Sequence, residues 1–343
     1  ALVSAFYDAN AYQFAWTDKD YAQQMINLLA SSVEEGLNPE DYHHGELVAL
    51  LAGLTSAEDP MRTRFDVLLT DGLLLYARHL LQGKVDPRTL DSTWNYSRRA
   101  LDPHDVARSL SEAIASGSVA QRINGLKLDR PFYKLMRARL KHYRQLAARE
   151  DFVPLPEDIV LHPGDEHDNV PALRRRLVDL GYLEPGAIDS RLYDAGVEAA
   201  VRELQAQYAL DTDGVVGRQS YAVLNLSYAD KVDMLRVNLD RMRWISNDLS
   251  DEFIVVNIAG FELYYLRDDG MVWETPVMVG SIATRTPIFH APLRYLEFNP
   301  TWNAPRSLVR RNVFPKLSAD PNYATAKGYR LYDAQGQSVD PLT

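Results

Sequence analysis

Cysteine is absent from the 343 residues. No disulfide, thiolate zinc centre or thiol nucleophile can therefore be built from this chain's own side chains, since each needs sulfur as link, ligand or attacking atom. Positive charge is in deficit: 37 Lys and Arg stand against 47 Asp and Glu, a formal charge of −10, with a pI near 5.3. That balance argues against a nucleic acid or an anionic membrane held through phosphates. Long apolar runs are also missing, and nothing approaches the roughly 18 continuous apolar residues of a membrane-spanning helix. The first residues, Ala1-Leu2-Val3-Ser4-Ala5-Phe6-Tyr7, show no basic region ahead of an apolar core. Any export signal or anchor is expected upstream of Ala1.

What is present is an ordinary globular composition, 46% hydrophobic and 24% charged, long enough for two or three domains that each bury a core. Residues 1–155 predict a helical scaffold domain. Asn38-Pro39, Asp59-Pro60, Asp86-Pro87 and Asp102-Pro103 each offer a capping oxygen followed by a proline at the first helical position, where its missing N–H costs nothing. Four helix starts are predicted there. Tyr21, Met25, Leu28, Leu29 and Val33 form an apolar stripe that stops at Gly36. Phe65, Leu68, Leu69, Leu75, Tyr76 and Leu80 form another that ends at Gly83, and Val106, Leu110 and Ile114 a third before Gly117. Pro131 to Glu150 reads as an amphipathic helix whose basic face is expected in solvent.

Histidines invite a metal reading that the spacing does not support. His43, His44 and His79 have no second donor at i+4 in a metal-binding arrangement. The run from His162 through Asp165, Glu166 and His167 to Asp168 reads instead as a linker that enters a helix capped at Asp168 or Asn169, with Pro171 in its first turn. No metal and no cofactor are expected.

A second unit is predicted over residues 160–227. Leu173-x3-Leu177-x2-Leu180-Gly181-Tyr182, Val201-x2-Leu204-Gln205 and Asp213-Gly214-Val215-Val216-Gly217-x3-Tyr221-x2-Leu224-Asn225 resemble the three-helix peptidoglycan-binding domain of cell-wall enzymes. Packing and turn geometry alone would explain every one of these residues. Ser227 then caps a linking helix, 228–250, with Val232, Leu235, Leu239 and Met242 on its apolar stripe and Arg236, Arg241 and Arg243 on the opposite face.

The only dense block of β-type sequence follows. Phe253, Val255 and Asn257 alternate with Ile254, Val256 and Ile258, then Phe261, Leu263 and Tyr265 continue the period of a strand with one buried face. Asp268-Asp269-Gly270 supplies a hairpin turn. Together with Val277-Met278-Val279-Gly280, Arg285-Thr286-Pro287-Ile288-Phe289 and Phe298-Asn299-Pro300-Thr301-Trp302-Asn303-Ala304-Pro305-Arg306, this block resembles the first part of an L,D-transpeptidase catalytic domain. More narrowly, it resembles the large periplasmic subgroup with a helical scaffold and a peptidoglycan-binding domain ahead of it. The fold class expected is thus multidomain α + β, with residues 251–343 an incomplete catalytic domain and the start of a lid insertion from about residue 307.

The resemblance implies a cysteine of a Ser-His-Gly-Cys-x-Arg motif that attacks a peptidoglycan stem peptide, expels D-Ala and passes the acyl group to an amine, forming 3-3 cross-links. Carbapenems acylate that same cysteine. This chain departs from the pattern: it has no cysteine and no Ser-His-Gly run, and His290 is its only histidine after His167. The expectation is therefore a fragment, inactive by itself, whose nucleophile lies beyond Thr343. Ser281 or Ser307 with His290 lacks any Gly-x-Ser-x-Gly signature. No catalytic residue is assigned, and Trp302, Asn303 and Arg306 are the expected substrate-binding residues, with Trp302 equally readable as a core anchor. Stem peptides, and other cell-wall synthases through the scaffold, are the expected partners. The expected location is the periplasm, with any inner-membrane anchor upstream of Ala1. The alternative is a non-catalytic peptidoglycan-binding or scaffolding protein with a degenerate terminal domain.

Overall fold

The computed structural model describes residues 1–343 except 55–59, 92–93, 97–99, 246–248, 269, 334 and 340–343. The predicted cap at Asp59, the middle of the Asp268–Gly270 turn and the final Leu342-Thr343 lie outside the described residues. The chain divides into two compact units, Ala1–His290 and Ala291–Thr343, and the class is α + β, as expected.

The first unit opens with α1 (Leu2–Ala9), α2 (Lys19–Ala30), α3 (His44–Gly53), α4 (Pro60–Gln82), α5 (Pro103–Ala115) and α6 (Val119–Asn124). Phe6, Met25, Ile26, Leu29, Leu47, Phe65, Leu69, Leu73 and Tyr76 interlock in one core, each such large side chain contributing ~1.5–3 kcal/mol by leaving water. Asp102 caps α5, accepting from the amides of His104 at 2.8 Å and Asp105 at 3.1 Å. Two of the other Asx-Pro starts open only 3-10 turns, Pro39–Tyr42 and Pro87–Thr89. The first is stopped by His43, whose left-handed φ of 62° redirects the chain into α3.

The stripe predicted along α2 fails at its end, and the failure has a structural consequence. Helix α2 tightens into a 3-10 segment, Ser31–Glu35, which changes the angular step per residue. Val33 is left exposed, while Ser32 and Glu35 are fully buried. Burying a carboxylate demands partners. Glu35 finds Tyr133, whose hydroxyl donates to its Oε2 at 2.8 Å, and the cations of Arg137 at 3.1 Å, Lys127 at 3.7 Å and Arg243 at 3.8 Å.

Lys127 lies just before α7 (Pro131–Ala147), and the other partners arrive on α7 and α11 (Tyr228–Ile245), which pack together through Tyr133, Leu140 and Leu239, with Leu128 beside them. The outer basic faces predicted for both helices are therefore partly internal. Arg243 is only 1% exposed and donates to the Tyr133 hydroxyl at 2.7 Å and to the Glu35 carbonyl. Arg236 donates to the Gly36 carbonyl at 3.1 Å, and Arg144 donates to the Val33 carbonyl. Helix α11 also reaches the end of α4: Asp240 accepts from the amides of Lys84 at 2.7 Å and Val85 at 3.2 Å. Gly83, at φ +74°, is required there because a Cβ would lie 2.5 Å from the Trp244 ring.

Residues 155–228 form a second core around α8 (Val170–Leu180), α9 (Ala195–Gln207) and α10 (Arg218–Leu224). Leu173, Leu177, Leu180, Val197, Val201, Leu204, Val216, Tyr221 and Leu224 are buried in it, joined by Leu146 from α7 and Tyr228 from α11. Asn169 precedes α8 without a side-chain cap, and Gly181 ends the helix in the left-handed conformation. The buried Gln205 fixes the Asp213-Gly214 turn, accepting from the Gly214 amide at 2.9 Å and donating to Asp213 at 2.9 Å and the Val215 carbonyl at 3.0 Å. The His162–Asp168 run is a turn laid beside residues 191–193. Gly164 donates to the Tyr193 carbonyl at 2.8 Å and Tyr193 to the Asp165 carbonyl at 2.7 Å. Ser227 and Asp230 exchange the two bonds of a capping box at the start of α11, each 3.1 Å long.

The second unit has α12 (Arg306–Leu308), a π-turn over Val309–Val313, α13 (Phe314–Ala319), α14 (Tyr323–Ala326) and a two-stranded hairpin, Leu331–Tyr332 with Ser338–Val339. Ala324 is its only buried residue among those described.

Two outcomes are expected from this packing. Arg243→Met should cost about 3 kcal/mol in urea unfolding, the low end for breaking a buried pair because Arg137 and Lys127 still face Glu35. Arg108→Met, from a solvent-exposed pair with Asp105, should cost under ~1 kcal/mol; equal losses would contradict the role given to Glu35. Lys231, buried where α11 meets the second core, has its pKa pushed down to about 8 by desolvation and then by Arg176, against a smaller opposing pull from Asp230. Its unfolded-state value is higher, so the unfolded chain binds more protons between pH 8 and 10. Stability should rise across that window until the tyrosines around it, Tyr143 and Tyr208, begin to matter above pH 10. Lys231→Met should flatten the rise, as read from melting temperature against pH.

Candidate functional site

The β block begins as an antiparallel meander of β1 (Glu252–Asn257), β2 (Glu262–Arg267) and β3 (Gly270–Pro276). Phe253 pairs with Leu266 and Val255 with Tyr264 across β1 and β2. A bulge falls between Tyr265 and Leu266 on the β3 side, where Val272 is the additional residue. The expected alternation is present, but its apolar members are not buried. Phe253, Val255 and Leu263 are half-covered, while Ile254, Val256, Met271, Val272 and Trp273 face solvent. Three strands alone cannot close a two-sided core, which needs a helix layer or further strands.

After β3 the chain turns back at residues 280–286. The Val277 amide donates to the Phe261 carbonyl at 2.8 Å, the Gly280 amide to Thr286 Oγ1 at 2.7 Å, and Ser281 and Thr284 share a hydroxyl bond of 3.0 Å. A Cβ on Gly280 would sit 1.9 Å from the Thr284 carbonyl oxygen. The Thr286 hydroxyl thus fixes the turn that leads into Pro287 and Ile288.

The scaffold holds both ends of this segment. At the start of the sheet, Arg130, which precedes α7, donates to the Leu249 carbonyl at 2.8 Å and the Ser250 carbonyl at 3.3 Å, pairs with Asp251 at 3.8 Å and lies 5.9 Å above the Phe253 ring. At the far end Trp94 forms a parallel β-bridge with Ile288, and the Asn95 amide donates to the Ile288 carbonyl at 3.0 Å. His290 meets the Tyr96 ring edge-on at 5.3 Å. That ring contact occupies the one histidine of the β block, and no hydrogen bond joins it to Ser281, so a serine–histidine pair at these two positions is not formed.

Trp302, Asn303 and Arg306, the expected substrate-binding residues, belong to the second unit. All three are exposed, Trp302 by 69%. Arg306 begins α12, directly after Pro305. The irregular run from Ala291 to Pro305 presents Leu293, Tyr295, Leu296 and Phe298 to solvent as well. The residues that the sequence did not single out are Arg130, Trp94 and Tyr96. Their one legible signal is a pair of aromatics around Asn95 in a stretch without helical periodicity.

With this geometry in view, comparison with known proteins is direct. Residues 1–140 match a scaffold-domain family, residues 166–224 a candidate peptidoglycan-binding domain, and residues 251–340 the L,D-transpeptidase catalytic domain. The last part of the chain is thus similar to the L,D-transpeptidase catalytic domain. The chain is also 40% identical over 109 residues to a candidate L,D-transpeptidase of Haemophilus influenzae, an alignment covering 32% of this chain and 22% of that protein. The chain thus spans under a quarter of the curated relative it matches. Among the described residues no helix is long and apolar enough to cross a membrane, and no group of three or more His, Asp or Glu side chains is placed to hold a metal.

Gly280→Ala should open the 280–286 turn, so the amide at position 280 should exchange with solvent at least about tenfold faster once its bond to Thr286 is lost. Gly186→Ala, where no atom lies within 4 Å of a new Cβ, should leave exchange at position 280 unchanged.

Proposed function

We propose that the protein is a peptidoglycan L,D-transpeptidase that forms 3-3 cross-links through a cysteine acyl-enzyme, and that these 343 residues hold its recognition parts without its nucleophile. The observation that carries this reading is the match of residues 251–340 to the L,D-transpeptidase catalytic domain, behind scaffold and peptidoglycan-binding domains. Since cysteine is absent here, the attacking thiolate comes from sequence outside these residues.

In the proposed reaction the thiolate adds to the carbonyl that precedes the terminal D-Ala of a tetrapeptide stem. Collapse of the tetrahedral adduct breaks the C–N bond, and D-Ala leaves with a proton on its amine. The thioester is then attacked by an amine of a second stem, which releases the thiolate. Backbone N–H groups would hold the oxyanion, and a histidine next to the cysteine would take and return the proton. Trp302, Asn303 and Arg306 have side chains suited to a peptide donor: an aromatic wall, an amide for backbone hydrogen bonds and a guanidinium for a stem carboxylate. Their exposure leaves these groups available. Residues 160–227 would hold the wall polymer, and residues from about 307 would begin a lid. A peptidoglycan substrate would fit a reaction in the periplasm.

A carbapenem separates this reading from a non-catalytic scaffold. Incubation with the full-length protein should add the mass of one carbapenem, and the 1–343 chain should gain none. An adduct on the 1–343 chain, or none on the full-length protein, would refute the thiol mechanism.

A further inference from the structure

The scaffold's contact with the end of the β block includes a backbone bridge as well as side-chain packing. Trp94 bridges Ile288 in parallel, Asn95 donates its amide to the Ile288 carbonyl, and Tyr96 is buried to 8% exposure against His290. Behind this bridge lies a train of rings. Trp94 donates its indole N–H to the Tyr96 carbonyl at 3.0 Å and meets Trp244 edge-on at 5.5 Å. Trp244 is in turn seated against Gly83, and the Tyr96 hydroxyl donates to the Ile245 carbonyl at 3.4 Å.

We infer that Trp94–Tyr96 is a backbone tether from the scaffold to the catalytic domain, and that Tyr96 is a positioning residue for the stretch Thr286–His290. The inference rests on the transpeptidase reading above for its catalytic consequence, though not for its structural one. Ile288 lies outside the three-stranded meander, and its carbonyl obtains a donor from the scaffold. A parallel bridge between residues so far apart in sequence forms only when the parts carrying them are already held together. Here Arg130 holds the start of the β block through Leu249, Ser250 and the Phe253 ring, and the ring train fixes Trp94 against α11. The stretch so held is the one that the Thr286 hydroxyl bonds to the Gly280 turn, and it leads directly toward Trp302 along the chain. A loosened Tyr96 would therefore misplace catalytic-domain backbone without removing any group that touches substrate, which predicts a loss in turnover ahead of binding.

The test uses the full-length protein with Tyr96→Ala, Tyr96→Phe and Asn95→Pro. Tyr96→Ala should speed hydrogen exchange at the Asn95 amide by about tenfold or more, while amides of the β1–β2 ladder and of α4 keep their protection. Its kcat for acyl transfer should fall by about tenfold with KM for the tetrapeptide donor within about twofold of the parent. Tyr96→Phe, which keeps the ring against His290 and Trp94, should restore both. Asn95→Pro removes the donated N–H and should reproduce the turnover loss; it decides the matter if Tyr96→Ala unfolds α4. Unchanged Asn95 exchange in Tyr96→Ala, or a loss confined to KM, would overturn the inference. If the unaltered full-length protein transfers no acyl group, the functional reading fails, and the exchange comparison alone decides whether the tether holds.

Discussion

A buried carboxylate organises this molecule. Once the tightening of α2 turns Glu35 into the interior, an ionised group sits out of water, and the free-energy cost can be offset only by cations and hydroxyls brought to it. Tyr133 and Arg137 come from α7, Arg243 from α11 and Lys127 from the preceding loop. These elements are separated from Glu35 by about 90 to 210 residues of sequence, and the requirement for charge compensation gives them one specific register where apolar contacts alone would tolerate several. Burial also raises the Tyr133 hydroxyl far above its ordinary pKa, so it stays a neutral donor to Glu35 at any physiological pH.

The consequence reaches both neighbours. Helix α7 contributes Tyr133 and Leu140 to one core and Leu146 to the next, so the scaffold and the three-helix domain share a structural member. Helix α11 contributes Arg243 to the buried cluster, Asp240 to the end of α4 and Trp244 to the ring train that meets Trp94. A segment with the sequence character of a link is thereby a strut. The apolar stripe of Val232, Leu235, Leu239 and Met242 was legible, and it does face inward. That Arg243 turns inward with it was not, because a helical wheel places an arginine on the polar face and cannot see a carboxylate two hundred residues away.

Local rules were read well where the answer depends on neighbours in sequence. Asp102 caps α5, Ser227 and Asp230 form a capping box, and Gly181 ends α8. The same rules overreached at Asn38-Pro39 and Asp86-Pro87, where a capping side chain starts a helical turn but cannot make it continue. Among the residues of the candidate site, Trp302 reads as wall or core anchor, and within this chain its ring faces solvent. The scaffold residues Arg130 and Tyr96 carry no motif, since their partners are backbone carbonyls and a histidine ring far along the chain.

The amino-acid sequence by itself determined the domain order, the helical and β segments, the likeness to L,D-transpeptidases and the absence of thiol chemistry from these residues, because each depends on residue type and short-range spacing. The tertiary structure alone decided that Glu35 is buried, that Arg243 and Arg144 face inward, and that Trp94–Tyr96 pairs with Ile288. Those outcomes come from desolvation and from hydrogen-bond demands that are met only when distant parts of the chain are brought together.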